Sequence, residues 1–364
     1  MRPVNLAISA AVLAVPVWSW GDEGHKITAT IAQIHLLPSA REAVCSILKQ
    51  DSATCNLAHV ATWPDEIKKD EETRKQWSWS FNLHFVNGIE DNPPEDCSFG
   101  TKGWTSPNNI LAATVNMTHN IQPSSKVDRD TSLRFLTHFL GDIHQPFHGT
   151  GRFKGANTVL VRYDDSETNL HSVWDDFLIQ KRIKLLTNYT TPLSMSPDPA
   201  RPASALTLYE RIELALDGSN YDPLVRWIVV EGIYGWWATE HPNWTICPQY
   251  KGNDQSNQQV LGIETPPFQD PTDLPLCPYY WTVPTHQMLC GFIWRPDFKG
   301  ADETTNTELI QLNTTKYTGR IQEEKLVEKQ LALGGMRLAG ILNAVLGSEE
   351  EKLEFGILPQ FVGF

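Results

Sequence analysis

Two histidine–aspartate pairs stand in the middle of the chain, His138 with Asp142 in HFLGD and His171 with Asp175 in HSVWD. Residues four apart project from one face of a helix, so each pair can present an imidazole and a carboxylate to the same point. His148 lies between them in QPFH. One such pair alone usually marks a helix surface. Two pairs flanking another histidine form a nitrogen and oxygen donor set suited to zinc. Three more donors lie nearer the front: His25 in WGDEGHK, Asp65 in ATWPDEIKK and His84 in FNLHF. Trp20 stands five residues before His25, and if a leader ends at Ser19, its α-amine (pKa about 8) and carbonyl become a further chelating pair.

These donors need helices to hold them. The lead-in SLRFLTHFLGD spaces Leu133, Leu136, Phe139 and Leu140 as a buried stripe, and Pro146 should end that helix. Helical patterning also covers 39–50, 107–120, 171–186, 205–217, 223–240 and 322–346. Only Asn157–Asp164, NTVLVRYD, alternates like a strand. The expected fold is a mainly α-helical single domain with a short β-hairpin. The stretch from Glu240 to Asp302, rich in Pro, Asp, Asn and Gln, reads as a disulfide-tethered loop insertion, and residues 348–364 as a tail.

Residues 1–19 read as a secretory signal: Arg2, an apolar run from Leu6 to Val17, and small residues at Val17 and Ser19 before a cut at Trp20. That run is too short to span a bilayer, and no later segment reaches the roughly 18 apolar residues a span requires. A secreted chain lets all six cysteines pair, with the connectivity open on the sequence alone. Sequons at Asn116, Asn188, Asn243 and Asn313 agree with export. The net charge of −13 argues against a protein that grips polyanions over its whole surface. Bound metal could still supply local positive charge. The runs Asp70–Arg74 and Ser348–Lys352 read as solvated faces.

Taken together, the motifs resemble the secreted three-zinc, single-strand-specific nucleases with 3′-nucleotidase activity, the fungal S1/P1 type. The matching stretches are WGDEGH at 20–25, WPDE at 63–66, LHF at 83–85, RFLTHFLGD at 134–142, QPFH at 145–148, GAN at 155–157, NLHSVWD at 169–175 and GGMRLA at 334–339. They span nearly the whole chain after the leader. The resemblance implies three Zn2+ ions in a nuclease domain over 20–347. Asp65, His84, His138 and Asp142 would hold the first; His148, His171 and Asp175 the second. Trp20, His25 and the second oxygen of Asp142 would hold the third. His144 falls off this face and reads as a support. Asp176 reads as a support or an exposed residue.

The resemblance also implies in-line attack of zinc-activated water on phosphorus, with Asp65 and Lys68 as catalytic residues. Phe85 would stack a base, and Asn87, Gly155 and Asn157 would line its pocket. Asn87 departs from the aspartate that the best-known members carry, and an amide can both donate and accept. The implied substrates are single-stranded DNA, RNA and 3′-nucleotides, acted on by a monomer without a stable protein partner. Cys97 would pair with Cys290, which leaves Cys45–Cys55 and Cys247–Cys277. Two alternatives compete. A zinc phospholipase C, of related fold, would need a lipid-facing rim, and a zinc glycoprotein without turnover would need no Lys68.

Overall fold

The computed structural model describes residues 20–189, 206–247, 274–298 and 309–358. The leader at 1–19 and parts of the 240–302 insertion and the tail lie outside them. The elements that matter most are α1 (Asp22–Ile34), α2 (Pro38–Leu48), α3 (Trp63–Glu66), α4 (Glu71–Gln76), α5 (Ile110–Asn120) and α6 (Arg129–Asp142). A long helix, Leu326–Leu346, packs along α1, and α6 packs against both. The approach is close. A Cβ on Gly335 would lie 2.5 Å from the Ile31 side chain, so the GG motif is a packing requirement.

Sequence chemistry explains α6. Asp128 caps it by accepting the Asp130 N–H, and Leu133, Phe135, Leu136, Phe139 and Leu140 are fully buried. Each such side chain contributes about 1.5–3 kcal/mol relative to exposure. The helix ends at Asp142, and Pro146 opens a separate 3₁₀ turn, Pro146–Gly149, capped by Gln145.

The strand reading is right in place and incomplete in extent. β1 (Leu160–Tyr163) pairs antiparallel with β2 (Ser166–Asn169) as the expected hairpin. β3 (Ile310–Gln311) adds to β1 in parallel, giving the order β2-β1-β3. A two-residue strand carries no period to read.

Three expected helices are wound differently. The 171–186 segment is a short turn, a π-turn (Val173–Phe177) and a helix (Leu178–Leu185). The 223–240 segment passes into π-winding over Ile228–Trp236. The last helix breaks at Lys325, whose φ of 52° is left-handed. Winding from 3.6 to more residues per turn leaves the apolar pattern almost unchanged, so the sequence does not show it. The helix α1, which the patterning did not single out, is buried along ten of its residues.

The insertion is more than a loop. It is tethered by Cys247–Cys277 and Cys97–Cys290, and it carries a helix, Pro278–Met288, whose Trp281, Thr285 and His286 are buried. Interior Pro284 and many polar residues hide this helix from periodicity. Cys45–Cys55 ties α2 to the following turn. The tail also packs: Ser348 caps a helix, Glu349–Phe355, and the Glu351 carboxylate accepts the Ser39 N–H at 3.0 Å and its hydroxyl at 2.5 Å. Glu351 is therefore a tether to α2 rather than part of a purely solvated run. Among the described residues, no helix is long and apolar enough to cross a membrane.

Candidate metal centre

Eight side chains from six stretches of the chain meet in the buried centre. α1 supplies His25, α3 Asp65, the 3₁₀ turn Ser78–His84 its last residue, and α6 both His138 and Asp142. The Pro146–Gly149 turn brings His148, and the NLHSVWD segment brings His171 and Asp175, for which Nε2 lies 3.0 Å from Oδ2. All are at most 4% exposed. Three groups, His25–Asp65–His138, His84–His138–Asp142 and His148–His171–Asp175, each bring donor atoms within 4.8 Å of one another.

Asp142 joins them. Its Oδ2 lies 3.0 Å from His84 Nδ1 and 3.3 Å from His138 Nε2. Its Oδ1 lies 3.4 Å from His25 Nε2 and 3.7 Å from His148 Nδ1. His25 also stacks on the ring of His138, at 3.7 Å between centroids, and His138 is the residue that two of the groups share.

The tautomers are set by the backbone. The Nδ1 of His138 donates to the Ala61 carbonyl at 2.7 Å, that of His148 to the His84 carbonyl at 2.6 Å, and that of His171 to the Gly155 carbonyl. Each leaves Nε2 as the lone-pair nitrogen, the arrangement that metal-binding histidines use. Buried Nε2 atoms of His84 and His148 have no hydrogen-bond partner. Burial pushes the His84 imidazole down to about 4 and that of His148 down to about 3, which keeps both in the neutral, metal-binding form. Burial opposes ionisation of Asp65, but Lys68, His138 and His84 together hold its carboxyl below the usual range. Burial pushes Asp175 up to about 7, against the opposing pull of His171 and the Gln145 hydrogen bond. The donor set fits zinc.

The sequence marks His144 and Asp176 as supports but leaves Gln145 and His286 without a role. Gln145 donates from Nε2 to Asp175 Oδ1 while its Oε1 caps Phe147, so one amide fixes both a ligand and the turn that carries His148. Its only sequence signal is a Gln before a Pro. His144 faces away as expected: its Nδ1 binds the Leu140 carbonyl and its Nε2 accepts from Arg337 at 2.6 Å. Asp176 is half-buried over the Gly21 backbone. His286, given no role from sequence, bonds buried Asp91 at 2.7 Å and stacks on Phe99.

Lys68 Nζ lies 2.7 Å from Asp65 Oδ1. Phe85 is half-buried, and the segment after it runs beside the centre, since Val86 N–H donates to the His148 carbonyl at 2.8 Å. A cleft of about 660 Å³ opens there, lined by Asn87, Gly88, Asp91, Thr105, Gly151 and Phe153 among others. Gly155 is buried and serves His171 through its carbonyl, and Asn157 donates to the Lys154 carbonyl at 2.9 Å. The structure thus brings Asn87 to the cleft, and Gly155 and Asn157 to the loop behind His171.

The sequence pattern of the S1/P1 nuclease family matches residues 20–214, the part that contains every one of these donors. The chain belongs to the S1/P1 nuclease family. It is accordingly a nuclease, a hydrolase of phosphodiester bonds. It is similar to Endonuclease 3 of Arabidopsis thaliana, at 28% identity over 91% of this chain and 90% of that protein. It is also similar to Nuclease S1 of Aspergillus oryzae, at 36% identity over 48% of this chain and 60% of that protein, and to Nuclease P1 of Penicillium citrinum, at 35% over 45% and 60%.

Close packing at Gly141 makes the centre of this nuclease testable. A Cβ there would lie 2.6 Å from His25 Nδ1 and 3.6 Å from Trp20 Cδ1. Gly141→Ala should favour the helix yet displace His25, lowering metal affinity at its group about 10–100-fold. Metal titration of the folded variant checks this, and unchanged affinity would contradict it.

Proposed function

We propose that this nuclease is a secreted, zinc-dependent monomer. In this reading it hydrolyses P–O(3′) bonds of single-stranded DNA and RNA to 5′-phosphate nucleotides and also cleaves 3′-nucleotides. The observation that carries the zinc reading is the sharing of Asp142 between two imidazole groups, with His148, His171 and Asp175 alongside. Three zinc ions would be held by Asp65, His84, His138 and Asp142; by His148, His171 and Asp175; and by His25, Asp142 and the Trp20 amine and carbonyl. Bound zinc would supply Lewis acidity and an activated water near neutral pH.

The chain's own groups do the rest. Asp65 accepts a hydrogen bond from Lys68, which keeps that ammonium beside the centre to balance charge on the phosphoryl group. Phe85 offers a face for base stacking, and the Asn87 amide can donate to or accept from a base edge. A duplex hides the base faces, hence the preference for single strands. Exposed Asn116, Asn188 and Asn243 suit glycans, whereas the Asn313 amide is bound to Asp164. The three disulfides agree with export.

The test is to purify protein beginning at Trp20, count its metal, and assay single-stranded DNA, RNA, duplex DNA and a 3′-nucleotide. Three zinc ions and faster cutting of single strands than of duplex are expected. Zinc-loaded protein that cuts neither, or both equally, would end this reading. Lys68→Ala should lower turnover about 10²–10³-fold with metal content unchanged, and loss of metal would make Lys68 structural instead.

A further inference from the structure

An aromatic path leads from the metal centre to solvent. His84 meets Phe139 edge-on at 5.4 Å, Phe139 stacks on Phe135 at 5.4 Å, and Phe135 carries Trp79 at 5.6 Å. Trp77 braces Trp79 from the side at 5.8 Å. Trp79 itself is 53% exposed, an indole face held rigidly outward. Both Trp79 and His84 lie on the 3₁₀ turn Ser78–His84, and a rise of ~2 Å per residue puts them about 10 Å apart along it.

Beside this face lies a cleft of about 650 Å³, lined by Lys69, Glu71, Arg74, Lys75, Ser78 and Phe81. Its rim carries three cations to one carboxylate, against a chain whose net charge is −13. Lys75 pairs with Glu71 at 2.7 Å, but both are largely exposed, and such pairs exchange readily for another anion. Asp70 is turned inward on the chain as the cap of α4, accepting the Glu72 and Thr73 N–H groups. In sequence, the cleft's residues lie between Lys68 and His84, two residues of the centre.

We infer that Trp79 and the adjoining Phe81–Arg74–Lys75 cleft form a second binding surface for single-stranded nucleic acid, outside the metal centre. A base of the bound strand stacks on Trp79, and its backbone phosphates pass the cations. This surface needs no sequence readout, because every base has a π-face. It rests on the single-strand reading above and adds chain length as a determinant of affinity.

The experiment uses the metal-loaded enzyme and a single-stranded DNA of about twelve nucleotides, a length within known single-strand site sizes. Binding is read by anisotropy of a labelled phosphorothioate version of the strand, and turnover by cleavage of the ordinary strand and of bis(p-nitrophenyl) phosphate, too small to reach Trp79. Trp79→Ala should weaken Kd and raise KM for the strand about tenfold, while kinetics on the small diester stay unchanged. Trp79→Phe should recover most of the loss. Joint replacement of Arg74 and Lys75 by alanine should lower the slope of log Kd against log salt by roughly 0.7 per phosphate contact removed. Unchanged strand binding in Trp79→Ala, or an equal loss on both substrates, would overturn the proposal and leave the patch to a protein partner. Wild-type enzyme that fails to cut the strand at all would instead strike the function proposed above, while the anisotropy arm still judges the surface.

Discussion

Asp142→Asn is expected to strip metal from two of the three donor groups at once and to lower nuclease activity by about 10³-fold or more. One carboxylate faces four imidazoles. Oδ2 serves His84 and His138 at 3.0 and 3.3 Å, and Oδ1 approaches His25 and His148 at 3.4 and 3.7 Å. Asparagine keeps the shape, but it loses the negative charge and must turn an NH₂ donor toward one side of the cluster. Whichever way the amide flips, one group gains a donor where a ligand is needed. Elemental analysis and activity should therefore fall together. Asp130→Asn, on the same helix and paired with Arg134 at 2.5 Å, should keep both. Full metal content and activity in Asp142→Asn would reduce Asp142 to a structural role.

Why was so much of this centre legible in the sequence? Its donors sit on short rigid motifs whose spacing reports geometry directly. His138 and Asp142 meet because α6 is regular, and a four-residue interval needs no tertiary knowledge. His171 and Asp175 meet across a π-turn, where the same interval still leaves both on one side, so the pair was readable although the winding was not. The supports are a different matter. Gln145 reaches Asp175 across 30 residues, and Arg337 reaches His144 across 193. Neither partnership has a local period.

The same contrast separates elements that could be read from those that could not. The stripe of α6 announces its buried face, whereas the Pro278–Met288 helix is buried through Thr282, Thr285 and His286, polar residues satisfied by specific partners. Thr285, for example, donates to Gln330 at 3.0 Å. A helix stabilised through such bonds looks like a loop to any hydrophobic pattern. That blind spot hides a contact at the cleft. His286 from this helix holds Asp91 on the wall of the cleft beside Asn87, so the insertion shapes that cleft.

Extra residues before Trp20 are expected to cost one metal ion and about 10²–10³-fold in activity, with the fold intact. The front of the chain is fastened on every side. Trp20 is fully buried, the Gly21 N–H donates to the Asp175 carbonyl at 3.0 Å, and the Gly21 carbonyl accepts from Gly24 at 2.9 Å. A Cβ on Gly21 would lie 1.7 Å from Asp176 Oδ1, so the chain runs close against that side chain just after Trp20. A free amine at Trp20 can lose its proton and offer a lone pair, whereas an amide nitrogen offers none. Protein released by a protease so that it begins at Trp20 should therefore bind three metal ions by native mass spectrometry, and protein with two residues left ahead of it should bind two. The same two residues appended after Phe364 should change neither number. Equal metal and equal activity at both front ends would show that His25 and Asp142 complete their group without the terminal amine.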